Sequence, residues 1–416
     1  MSDLAKAFAK TKLSALPSPE PLAEDPADAY EDDSSSASSM SSTGTVIPTS
    51  NQRPAPVLHW SSYFSQEFYL ERPASPMSRH AKFHVYLTPP ASPKANLLVL
   101  HHGAGSSALS FALMAKEVRK LMPDVGILAV EAREHGSVVW DAEGHVDADL
   151  SVDVLGRDLV DMIQLTASKM GWTELPTMVL IGHSLGGAVV THVANKGVLG
   201  SKVLGFAVLD VVEGSAMEAL KHMQSYLASR PKTFPSLPAA IEWHIRSRTL
   251  RNPQSARASV PSLLLQTPDG KWAWRTELGS TEAYWENWFN GMSAKFLGGK
   301  GAKLLILAGT DRLDKELMIG QMQGKFQLQV FPAAGHFLQE DLPEKTAEAI
   351  VEFVKRNDRS TLVLPPKVSD LLAQGKKDIL RSRPNMARFV VSQASKLLLS
   401  TACWSEGDRM RQASSS

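Results

Sequence analysis

The 416-residue chain has a single cysteine, Cys403, so no intrachain disulfide can form, and this thiol usage favours the cytoplasm or nucleus over an oxidising compartment. Neither sign of charge is in excess: 44 Lys and Arg stand against 43 Asp and Glu. That balance argues against a nucleic-acid footprint or a strongly basic membrane surface over the molecule as a whole. No apolar run reaches the length of about 18 residues that a spanning helix needs, and Met1 to Lys6 lead into no apolar segment of the signal-peptide kind. Neither a membrane anchor nor a leader is therefore expected. Aromatic residues make up only 7% of the chain and almost vanish between Pro17 and Pro56, where Ser, Pro, Ala and acidic residues dominate, including Asp32-Asp33 followed by Ser34-Ser35-Ser36. Such a stretch buries too little apolar surface to offset its ordering entropy, so residues 1–56 are expected to form a disordered tail.

What remains has the means to fold. Hydrophobic residues make up 43% of the sequence, and from Val57 onward they fall into periodic patterns. Period-two alternation at residues 64–70 and 81–87 predicts two half-buried strands, antiparallel at the edge of a sheet. Apolar runs at 96–102, 125–131, 177–181 and 203–210 read as buried strands, separated by helical patterns at 110–121, 152–170 and 187–196. Strands alternating with helices specify a parallel sheet covered on both faces, an α/β architecture. The rhythm stops between 211 and about 300, where helical segments rich in Trp, Tyr and Met (216–227, 237–246, 280–296) predict a cap insertion. Strands at 303–309 and 326–331 and a helix at 343–356 complete the domain, taken as 57–358. Residues 359–416 turn basic and irregular and are expected outside the core, with short helices near 369–372 and 388–399.

The chemistry is concentrated in Ile181-Gly182-His183-Ser184-Leu185-Gly186-Gly187. A Ser hydroxyl is a weak nucleophile unless it is held exposed, beside a base and near backbone donors for an oxyanion. The Gly-x-Ser-x-Gly elbow supplies this by turning sharply from strand into helix, and here the strand and the helix flank it as required. Ser184 is thus the expected nucleophile of an α/β-hydrolase fold, with the Leu185 N–H as one oxyanion donor. The second donor should come from the turn after an earlier strand, His102-Gly103-Ala104-Gly105, where the Ala104 N–H is the candidate. Chain order in this fold is nucleophile, acid, histidine, which selects His336, in Ala334-Gly335-His336-Phe337-Leu338, as general base over His222 and His244 in the cap. Two residues compete as the acid, Asp210 and Asp311, each closing a strand, and placement alone slightly favours Asp311.

Longer motifs sharpen this. Leu209-Asp210-Val211-Val212-Glu213-Gly214, Arg230-Pro231-Lys232-Thr233-Phe234, Ile241-Glu242-Trp243, Arg251-Asn252, Tyr284-Trp285, Trp288-Phe289 and Ile319-Gly320-Gln321-Met322-Gln323-Gly324-Lys325-Phe326-Gln327 together resemble the protein phosphatase methylesterase family. The resemblance spans roughly residues 57 to 356. It implies a cofactor- and metal-independent serine esterase that demethylates the C-terminal leucine of the type 2A protein phosphatase catalytic subunit, with the triad on Ser184, Asp210 and His336. It also implies that the cap reads a folded protein partner, with Trp and Tyr side chains as anchors. The chain departs from the family in reading His-Gly-Ala-Gly at the first loop, in lacking an acidic insertion between Thr267 and Trp274, and in its basic C-terminal extension. A small-molecule esterase or thioesterase, or a phosphatase-binding inhibitory protein with secondary catalysis, would share the same elbow.

Overall fold

The computed structural model describes residues 57–75, 79–309 and 313–358. The tail 1–56, the extension 359–416 with its expected short helices, and Cys403 lie outside the described residues, as does Asp311.

The strands are β1 (Gln66–Arg72), β2 (Ala81–Thr88), β3 (Leu97–His101), β4 (Gly126–Val130), β5 (Val138–Val139), β6 (Met178–His183), β7 (Val203–Leu209), β8 (Thr233–Phe234), β9 (Leu264–Gln266), β10 (Trp272–Trp274), β11 (Ala302–Leu307) and β12 (Gln327–Val330). The main sheet runs β1-β2-β4-β3-β6-β7-β11-β12, with the short β5 on β2. β1, β2 and β4 pair antiparallel, while β4 through β12 along that path are parallel. The chain leaves β3 toward β4 on one side and reaches β6 on the other. A crevice therefore opens at the C-terminal ends of β3 and β6, the place where ligands bind in open α/β sheets.

Alternation assigns the two faces. Leu97, Val99, Leu180 and Val208 point to a layer containing the helices Val152–Met170 and Leu185–Lys196, while Leu98, Leu100, Ile181 and Leu209 point to a layer with Ala112–Leu121 and Pro343–Asn357. Both sets are buried, and each such side chain contributes about 1.5–3 kcal/mol. The site at the strand ends thus rests on a scaffold buried on both sides.

The insertion between β7 and β11 is more mixed than its periodicity predicts. It contains a three-stranded antiparallel sheet, β8-β10-β9, around a small core of Phe234, Ile241, Leu250 and Leu264. The predicted helix 280–296 is two helices, Glu282–Phe289 and Met292–Gly298, separated at Gly291, whose φ of 71° is left-handed. Both Glu213 carboxylate oxygens accept backbone N–H groups there, from Gly291 (2.9 Å) and Ser293 (3.0 Å), capping the second helix. Trp285 and Trp288, two of the insertion's tryptophans, are only 5% and 4% exposed and pack into the main core. Their indole N–H groups donate to Thr281 Oγ1 and to the Leu150 carbonyl. They hold the insertion to the sheet.

Candidate active site

Ser184 stands between β6 and the helix Leu185–Lys196 with φ 51° and ψ −120°, a backbone conformation that costs a non-glycine residue about 1–3 kcal/mol. Its neighbours explain how the turn closes. A Cβ on Gly182 would lie 2.1 Å from the Gly186 carbonyl oxygen, and one on Gly186 would lie 2.0 Å from that of His101. Only glycine fits at either place. The Ser184 N–H donates to the Leu209 carbonyl at 3.1 Å, which ties the elbow to the end of β7. The side chain stays partly exposed, and among the described residues its hydroxyl makes no hydrogen bond.

Asp210 follows β7 directly and is buried, with φ 52°. Its N–H donates to the Ile306 carbonyl (2.8 Å) and its Oδ1 accepts the Ala308 N–H (2.8 Å), so β11 fixes both backbone and carboxylate. Its Oδ2 lies 2.9 Å from His336 Nδ1. A carboxylate only accepts, so Nδ1 carries the proton and Nε2 keeps its lone pair for a hydroxyl. Placement in sequence leaned toward Asp311; the geometry instead puts Asp210 against the histidine. The His336 carbonyl accepts from His183 Nε2 (2.8 Å), and His183, one residue before Ser184, is held neutral by burial and then by His336 beside it, its pKa lowered to about 3. His183 thus joins the base loop to the elbow. The elbow motif contained it, but nothing in one sequence says where its ring points.

The turn bearing Ala104 is framed by two histidines. His102 donates from Nδ1 to the Gly103 carbonyl (2.8 Å) and accepts the Ala132 N–H at Nε2 (3.0 Å). His135 accepts the Gly105 N–H at Nε2 (2.8 Å) and donates from Nδ1 to the Arg133 carbonyl (2.9 Å). Both neighbours of Ala104 are therefore occupied. The N–H groups of Ala104 and Leu185 donate to no other group among the described residues, which leaves them available to an oxyanion. Leu278, from the insertion, closes over this turn, since a Cβ on Gly105 would meet it at 2.6 Å.

Burial, with His102 adding to it, lowers the pKa of His101 and of His135 to about 3. With His183 they make three histidines that are neutral in the fold but titrate near 6.5 when unfolded. Below about pH 6.5 the unfolded chain takes up protons that the fold refuses. Stability is full above that pH and is lost as the pH falls toward 3, by up to about 1.4 kcal/mol per pH unit for each histidine. Thermal melts between pH 7 and pH 5 should show a falling midpoint; a flat profile would contradict this reading of the three rings.

Among the described residues no group of three or more His, Cys, Asp or Glu side chains is gathered to hold a metal, and no helix is long and apolar enough to cross a membrane. Ser184, His336 and Asp210 lie at the C-terminal ends of β6, β12 and β7, with the Ala104 turn after β3. The arrangement suits acyl transfer from an ester.

A family model described as "Alpha/beta hydrolase family" matches residues 98–349. The chain is 55% identical to protein phosphatase methylesterase 1 of Aspergillus fumigatus, over 90% of this chain and 93% of that protein. It is 52% identical to protein phosphatase methylesterase 1 of Gibberella zeae, over 91% and 100%, and 43% identical to that of Schizosaccharomyces pombe, over 74% and 87%. Among solved structures, E-2-(acetamidomethylene)succinate hydrolase matches with a TM-score of 0.53 at 17% identity, covering 70% of this chain and 100% of that one, a likeness of fold alone.

Proposed function

Because the chain belongs to the protein phosphatase methylesterase 1 family of α/β hydrolases, we propose that it removes the methyl ester from the C-terminal leucine of the type 2A protein phosphatase catalytic subunit. The observation that carries the chemistry is the 2.9 Å contact between His336 Nδ1 and the buried Asp210 carboxylate, next to a serine held on a strained elbow. Ser184 Oγ attacks the ester carbonyl as His336 Nε2 takes its proton. The Ala104 and Leu185 N–H groups receive the oxyanion, and Asp210 stabilises the imidazolium. The imidazolium gives its proton to the departing methoxide oxygen, which leaves as methanol. Water, deprotonated by the same Nε2, then attacks the acyl-enzyme, and the imidazolium passes that proton to Ser184 Oγ as it leaves the leucine carboxyl group. Protein substrate and enzyme meet in the cytoplasm or nucleus under this reading.

The test is direct. Purified protein is incubated with the phosphatase subunit, or with its C-terminal peptide as the leucine methyl ester, and the mass of the peptide is followed. Conversion to the carboxylate is expected. Rapid cleavage of small acyl esters or thioesters with the methylated peptide untouched would favour a small-molecule hydrolase instead, and tight phosphatase binding without turnover would favour an inhibitory protein.

A further inference from the structure

Behind His336, the loop and the insertion are joined by a carboxylate that the ester chemistry does not use. Asp341, whose side chain is 1% exposed, accepts the Gly335 N–H on Oδ2 (2.6 Å) and the Arg251 N–H on Oδ1 (2.8 Å). Arg251 comes from the turn between the insertion's helices Leu237–Arg246 and Pro253–Ser259. Its guanidinium reaches back along the same loop, with Nη1 donating to the Ala333 carbonyl (2.5 Å) and Nε lying 3.8 Å from Asp341 Oδ2. The residue before Asp341 extends the seam: the buried Glu340 accepts Ser259 Oγ on Oε2 (2.5 Å), and its carbonyl accepts Ser255 Oγ (2.7 Å). The residues just before His336 are thus bracketed from both sides by one acid and one base.

We propose that Asp341 is a positioning residue, which with Arg251 clamps residues 333–335 to the insertion and so sets where the His336 ring stands relative to Ser184. This rests on His336 being the general base. The physical argument is one of constraints. The ring is held at Nδ1 by Asp210 and the main chain at the carbonyl by His183, and both contacts leave the loop able to pivot. The Gly335 N–H is the anchor on the other side of the residue, and a Cβ on Gly335 would lie 3.0 Å from Asp341 Oδ2, so the packing there leaves little slack. Because the Ser184 hydroxyl makes no hydrogen bond to His336, no bond between base and nucleophile corrects an error in the loop. Misplacement of a catalytic group by about 1 Å costs up to about 10²-fold.

The test uses the full chain with a chromogenic small ester, which reads chemistry without partner docking, at a temperature well below melting. Asp341→Asn should lower kcat by about 10- to 100-fold with KM within about twofold, since an amide cannot accept from both N–H groups. Arg251→Ala, at a half-exposed side chain, should lower kcat by about 3- to 10-fold, and Arg251→Ala/Asp341→Ala should be no slower than Asp341→Ala alone. If the Asp341 variants fail to fold, Arg251→Ala carries the decision. Unchanged kcat in Arg251→Ala, losses that multiply in the double variant, or losses appearing in KM rather than kcat would each overturn the proposal. A wild-type enzyme that cleaves no ester would instead sink the esterase reading, a result visible before any variant is made.

Discussion

Ser184→Ala is expected to lower hydrolysis of the methyl ester by about 10⁵- to 10⁶-fold while leaving the melting temperature nearly unchanged. The two halves of this expectation have separate causes. The hydroxyl forms the acyl bond, so nothing can replace it, and only binding and the oxyanion donors remain to assist attack by water. For the fold, the same hydroxyl is dispensable: it is partly exposed and bonds to nothing among the described residues. The strained turn is held by Gly182, Gly186 and the Ser184 N–H on Leu209, all of which survive the substitution. Binding to the phosphatase should survive too, which separates catalysis from docking. Residual turnover above about one part in 10³, after contaminating esterases are excluded by a serine-reactive probe, would show that Ser184 is not the nucleophile.

Asp210→Asn is the second large effect, with kcat expected to fall by about 10⁴-fold near neutral pH. Asp210 Oδ1 receives the Ala308 N–H and Oδ2 faces His336 Nδ1. An asparagine has one oxygen for these two donors. If it keeps Ala308, its amide N–H₂ confronts Nδ1, the imidazole moves its proton to Nε2, and the lone pair that should accept the serine proton is gone. If it turns the other way, the amide meets the Ala308 N–H and the strand end is disturbed. That second orientation keeps the proton on Nδ1 but sets two donors against each other at Ala308, and in either orientation the negative charge that stabilises the imidazolium is lost. Because the change acts on the tautomer, kcat should suffer far more than KM. Asp311→Asn is the comparison that matters, since placement in sequence leaned toward that residue. A large loss at Asp311 with a small one at Asp210 would reverse the assignment.

These two residues mark how far the sequence could be read. The elbow at Ser184 was legible because its constraints are local: a strand, a tight turn and a helix within about ten residues force glycine on both sides. The helix Val152–Met170 was legible to the residue, having a strong apolar stripe and a glycine, Gly171, at its C-terminal end in the left-handed conformation. The small sheet of the insertion was not. Its strands are two or three residues long and β8 lies thirty positions before β9, so no periodicity betrays them, although the turn before β10 carried an Asp269-Gly270 signal with Gly270 at φ 83°. The tryptophans were ambiguous for a related reason. An aromatic residue at helical spacing looks the same whether it faces a partner or, like Trp285 and Trp288, the core.

The sequence by itself determined the fold class, the candidate nucleophile and, through its longer motifs, the family. Each follows from neighbours along the chain, where bond geometry limits the choices. Tertiary structure alone decided which rings hold the oxyanion turn and that Asp341 joins Gly335 to Arg251, ninety positions before it, and it set the Asp210 carboxylate that the longer motifs had pointed to against His336. Such pairings depend on which strand ends the sheet brings side by side, and a hydrogen bond of under 3 Å is made or lost by displacements far smaller than any sequence pattern encodes.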